Sequence, residues 1–74
     1  RNVYLGRNNV SDLSPLIGCD IAEMYIDLNK LNGNREAFRG LTVHGFIVMN
    51  GNGYAREDLE YIRSTINGEA NLEI

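Results

Sequence analysis

One cysteine, one proline and one histidine are all that these 74 residues contain of three residue types that staple, bend or ligate. A lone Cys19 excludes an internal disulfide and any multi-cysteine zinc site. His44 has no second histidine with which to converge on a metal, so no metal site is expected and the residue reads as structural or superficial. Basic residues are few and scattered, at Arg1, Arg7, Lys30, Arg35, Arg39, Arg56 and Arg63, and ten carboxylates bring the net charge to −3. Nucleic-acid binding draws on a basic stripe that displaces counterions, and none exists here. Apolar runs are too short for a membrane span. The chain opens on Arg1 with no charged-then-apolar leader behind it, which raises the expectation of a processed or excised piece, and its compartment is not legible.

Sets of residues that carry chemistry are missing as well. Gly51-Asn52-Gly53 precedes a helical pattern, yet no Lys-Ser/Thr follows and G-x-G-x-x-G spacing is absent, so the stretch reads as a turn rather than a phosphate loop. Glu57, Asp58 and Glu60 share a turn without a base, nucleophile or ligand partner, as a solvated helix face does. Cys19 has no nearby histidine to activate it. Asn9-Val10-Ser11 is a formal glycosylation sequon of the kind that also arises by chance. No general base, nucleophile and oxyanion donor converge, so the expectation is a non-enzyme that uses no cofactor.

What the sequence does contain is self-similarity. Val3-x-Leu5-x-x-Asn8-x-Val10 recurs as Met24-x-Ile26-x-x-Asn29-x-Leu31 at an offset of 21. A third copy has two possible registers. Ile47-x-Met49-x-x-Asn52-x-Tyr54 keeps the asparagine at an offset of 23, whereas Val43-x-x-Phe46-x-Val48 matches Ile21-x-x-Met24-x-Ile26 at 22. One inserted residue near Asn50-Gly51 would reconcile them. In each copy, alternation puts apolar side chains on one face of a short strand while Tyr4 and Tyr25 point to the other. Asn8, Asn29 and Asn52 would use their amides to satisfy backbone groups where the chain leaves the strand. Pro15 fixes a turn after Ser14, with Leu13 and Leu16 covering that side. Beyond Asn52 the period changes: Ala55, Leu59, Ile62 and Ile66 form a helical stripe from about residue 55 to 66, with Asn67-Gly68 as its stop and a short strand through Leu72 and Ile74 after it.

These motifs resemble the leucine-rich repeat family, whose pattern is L-x-x-L-x-L-x-x-N-x-L, and "NNVSDLSPLIGC" is similar to its short bacterial or SDS22-like class. The likeness is strong over residues 3–31 and weaker over 32–54, where "NGNREAFRGL" replaces the expected D-L-S-P-L segment and Cys19 stands where leucine is usual. It implies an α/β fold: a leucine-rich repeat solenoid fragment with short parallel strands, two and a half to three coils over residues 1–54, and a capping helix with a short strand over 55–74. It also implies non-catalytic protein–protein recognition through the concave strand face. Carried over by position, the partner-binding residues are Tyr4, Arg7, Glu23, Tyr25, Asp27 and Leu28, with Asn2 and Gly6 beside them. Ile47, Met49 and Asn50 join them under the 22-residue register. So few coils barely close a core, so the partner is expected to be another protein, further N-terminal repeats or a second copy. The rival reading is a compact α/β inhibitor or regulator of an enzyme, in which residues 24–31 and 43–49 would pair antiparallel.

Overall fold

Short apolar–polar alternations set the strands. The computed structural model describes residues 1–74 as one α/β unit with a four-stranded parallel sheet and one helix. Strands β1 (Asn2–Tyr4), β2 (Asp20–Tyr25), β3 (Thr42–Val48) and β4 (Asn71–Glu73) lie side by side in chain order. Ile21, Met24, Val43, Ile47 and Leu72 turn to one face of the sheet and are buried there. They pack with Leu13, Ile26, Leu31, Phe38, Leu41, Met49, Ile62 and Ala70.

The connections differ although the strands repeat. Between β1 and β2 the Asp12 carboxylate accepts the Ser14 N–H at 2.9 Å and opens a 3-10 turn, Ser14–Leu16, with Pro15 in its first turn and Leu13 buried beneath it. Between β2 and β3 the segment 34–41 makes successive turns that bury Phe38 and Leu41. Between β3 and β4 runs helix α1 (Arg56–Thr65), slightly shorter than the spacing predicts. Ile62 is its buried anchor, with Leu59 and Ile66 packed against the core. The closing strand is Asn71–Glu73, so Leu72 is inside and Ile74 lies beyond it, exposed. Cys19 is partly buried at the margin of the core.

Register resolves the third copy. β1 pairs β2 at an offset of 21, Val3 opposite Met24. β2 pairs β3 at 22 where Ile21 meets Val43 and at 23 where Met24 meets Ile47. Both candidate registers therefore occur, and the extra residue sits at a bulge at His44–Gly45, not near Asn50–Gly51. Gly45 lies so close to Ala22 that an added Cβ would fall 2.6 Å from the Ala22 carbonyl oxygen. The bulge returns Ile47 and Met49 to the core, where both are fully buried, and this corrects the outward placement expected for them under the 22-residue register. Phe46 and Val48 take the outer positions instead.

Two asparagines bind the units together. Asn29 Nδ2 donates to Ile26 O of its own turn at 3.0 Å and to Leu5 O of the unit before at 2.8 Å, and its Oδ1 accepts the Val10 N–H at 2.9 Å. Asn52 repeats this one unit on, donating to Met49 O at 3.2 Å and Ile26 O at 2.8 Å while accepting the Leu31 N–H at 3.3 Å. Both side chains are buried. Asn8 departs from the expected pattern: it is exposed and reaches only Leu5 O and Gly6 O of its own turn. Its Oδ1 accepts no N–H of the described residues, since β1 is the edge strand of the sheet. Each of the three is preceded by a residue at positive φ, Arg7 at 59°, Leu28 at 53° and Gly51 at 76°, which swings the amide inward.

Replacing Asn52 or Asn29 by alanine strands buried carbonyls and an amide, and is expected to cost about 3 kcal/mol, whereas Asn8→Ala is expected to cost less than about 1 kcal/mol. Urea midpoints of the three variants test this, and equal losses would refute the ladder. Gly45→Ala forces the bulge away from Ala22 and is expected to cost about 2 kcal/mol by the same assay.

Candidate functional site

The face of the sheet opposite the core carries the side chains that the core does not use. Alternation along β1 and β2 brings Tyr4 and Tyr25 outward at paired positions, and their rings stack with centroids 4.9 Å apart and planes 16° from parallel. Phe46, paired with Glu23 and diagonal to Tyr25, meets the Tyr25 ring edge-on, at 5.4 Å and 89°. Tyr4 is 68% exposed. Its ring lies on the edge strand, covered by Tyr25 on one side and by no aromatic group on the other.

Carboxylates surround this row. Glu23 Oε1 lies 3.4 Å from the Tyr25 hydroxyl. Glu73, on β4, is paired with Val48. Asp27 follows β2 and lays its carboxylate over Gly6, where a Cβ would come within 2.6 Å of Oδ1, so only glycine leaves the carboxylate its room. Partial burial, then Glu23, Tyr4 and more weakly Glu73, push the Tyr25 hydroxyl above its ordinary value. Asn2 Nδ2 donates to the Tyr4 hydroxyl at 3.0 Å.

Of the residues singled out from sequence, Tyr4, Glu23, Tyr25 and Asp27 gather here with Asn2 and Gly6. Arg7 and Leu28 sit at the turns beyond the strand ends, donating their N–H groups to Asp27 O and Asn50 O at 2.8 Å each. Phe46, Val48, Asn71 and Glu73 belong to the face and escaped sequence reasoning. The 23-residue register, taken from the asparagines, would have placed Phe46 opposite Glu23 and Val48 opposite Tyr25.

A second polar cluster joins segment 34–41 to α1. Asp58 accepts the Ala55 N–H through Oδ2 at 2.8 Å and the Arg35 Nε–H through Oδ1 at 2.5 Å. It closes the helix start as the acidic half of a capping box, since Ala55 has no side-chain acceptor to return the bond. The expectation of a solvated helix face is thus corrected for Asp58, which is buried, and stands unmodified for exposed Glu57 and Glu60. Beside it Glu36 binds both Arg39 and the Tyr61 hydroxyl, and Arg35 lies over the Tyr61 ring at 5.9 Å. His44 Nε2 is 2.6 Å from Asp20 Oδ1 on the exposed surface. No pocket opens in the molecule, and no group of three or more histidine, cysteine or acidic side chains is arranged to hold a metal ion. No helix is long and apolar enough to cross a membrane.

The Ala55 amide first, and then the Arg35 guanidinium, hold the Asp58 carboxyl below its ordinary range. A carboxyl depressed in the folded state contributes stability that is present above its unfolded value of about 4 and disappears as pH falls through the lower folded value. Asp58→Asn is therefore expected to be less stable than the parent at pH 7, with the gap narrowing as pH drops below about 4. Urea midpoints across a pH series measure it, and a gap that stays constant down to pH 2 would assign Asp58 to packing alone.

Comparison of the chain with protein-family models, with curated proteins and with solved structures found no match.

Proposed function

We propose that this chain is a recognition module: a fragment of a leucine-rich repeat solenoid, residues 1–54 forming its coils and 55–74 its cap, that binds another protein without catalysis. The observation that carries the reading is the Tyr4–Tyr25–Phe46 row, held on the solvent side of a sheet whose other side packs against the core. Exposed aromatic area on a rigid backbone supplies contact surface at low entropic cost, and aromatic anchors dominate the energetics of protein interfaces. Strand order supports the coil reading. Consecutive parallel neighbours at offsets of 21 to 23 are what stacked coils require, and the rival regulator called for an antiparallel β2–β3 pair. The free edge of β1 and the idle Oδ1 of Asn8 mark where a further coil, another chain or a second copy would continue the array.

Peptides selected from a display library on the intact chain test the reading. Their affinity is expected to fall about thirty-fold on a Tyr4→Ala/Tyr25→Ala variant, as loss of aromatic anchors does, and to be unchanged on Glu57→Gln/Glu60→Gln, which alters the far side. Equal binding to the first variant and the parent would refute it.

A further inference from the structure

Charge on the recognition face is one-sided and uncompensated. The chain forms three ion pairs, Arg35–Asp58, Arg39–Glu36 and His44–Asp20. None involves Glu23, Asp27 or Glu73, the carboxylates beside the aromatic row. Neither Lys30, three residues beyond Asp27, nor Arg7, whose N–H bonds the Asp27 carbonyl, makes an ion pair with the Asp27 carboxylate. Arg1, at the start of β1, directs its guanidinium to the Cys19 sulfur at 3.8 Å. Three carboxylates without an ion-pair partner thus lie on the same face as aromatic rings whose quadrupoles also favour positive charge.

Geometry narrows the cation further. The free face of Tyr4 and the Asp27 carboxylate lie on the same side of the sheet, with Asp27 over Gly6, two residues past Tyr4 and just beyond the end of β1. A planar guanidinium can stack on a ring and at the same time donate two parallel hydrogen bonds to a carboxylate, which a compact ammonium cannot. An open sheet face without a pocket suits an extended segment more than a small molecule.

We infer that the occupant of this face is an arginine-bearing extended segment of a partner protein, one guanidinium stacked on Tyr4 and paired with Asp27, with Glu23 and Glu73 receiving further cations. This rests on the reading of the face as a recognition surface.

The test is titration of the intact chain with a blocked (Gly-Arg)3 peptide, followed by the ring resonances of Tyr4, Tyr25 and Phe46, beside (Gly-Lys)3, (Gly-Glu)3 and (Gly-Tyr)3. The arginine peptide is expected to shift those resonances, to bind more tightly than the lysine peptide and to weaken with salt. Affinity is expected to fall about ten-fold in Asp27→Asn/Glu23→Gln/Glu73→Gln and about three-fold in Tyr4→Leu. It should hold in Glu57→Gln/Glu60→Gln/Glu69→Gln, which removes the same charge elsewhere. Equal loss in both triple variants would reduce the effect to net charge and overturn the inference, as would shifts confined to α1. Should (Gly-Tyr)3 move the ring signals and (Gly-Arg)3 not, the cationic partner falls while the recognition face stands. If no peptide moves them, the inference falls, and the peptides selected on the intact chain decide the face separately. Were the first triple variant to lose its folded spectrum, Asp27→Asn alone carries the same comparison.

Discussion

A backbone that leaves a short strand and turns inward carries carbonyl and amide groups to a place where water is excluded. In this protein the demand is met by a carboxamide, the one uncharged side-chain group that offers two donors and an acceptor from a single planar end. Asn29 and Asn52 each tie their own turn to the turn before, through one carbonyl in each and one returned amide. Because the side chain is short, the two turns must lie at strand spacing, and the parallel register follows from that. The sheet is as much a product of these side-chain bonds as of its own ladder. With strands of only three to seven residues, the backbone pairs alone would hold little.

Given that fixed spacing, the two faces of the sheet acquire separate duties. Inward positions are filled by Ile, Met, Val and Leu, fully buried on the two central strands, and Phe38 and Ile62 close the layer from connections of quite different shape. One connection is a 3-10 turn, one a series of turns and one an α-helix, yet each delivers an apolar anchor to the same layer. The outer face is relieved of any role in the core, so its aromatic and acidic residues answer to solvent and to one another.

The sequence made strands β1 and β2 and the helix legible because their signals are local: alternation for the first two, a 3.6-residue stripe for the last. The asparagine spacing also gave the parallel order of strands its first support. What sequence could not place was the single extra residue in β3. A bulge has no composition of its own, and Gly45 reads like any loop glycine until Ala22 is seen against it. That one uncertainty moved Phe46, Val48, Ile47 and Met49 between faces, since a slip of one residue inverts a strand. The burial of Asp58 is hidden in the sequence for another reason. Its partner Arg35 is 23 residues away, and nothing local distinguishes it from exposed Glu57 and Glu60. Asn8 carries the same motif as Asn29 and differs only in having no neighbour on one side.

The aromatic row on the outer face is not uniform along its length. Directly opposite each other on β1 and β2, Tyr4 and Tyr25 lie nearly parallel; Tyr25 and Phe46, diagonal neighbours on β2 and β3, stand at right angles. A surface assembled from identical rungs has translational symmetry, and a ligand lying across it can slide by one rung and lose nothing. Here the row begins as a flat stack and ends in a corner, so its two ends are distinguishable. The change from direct to diagonal pairing gives the surface a direction.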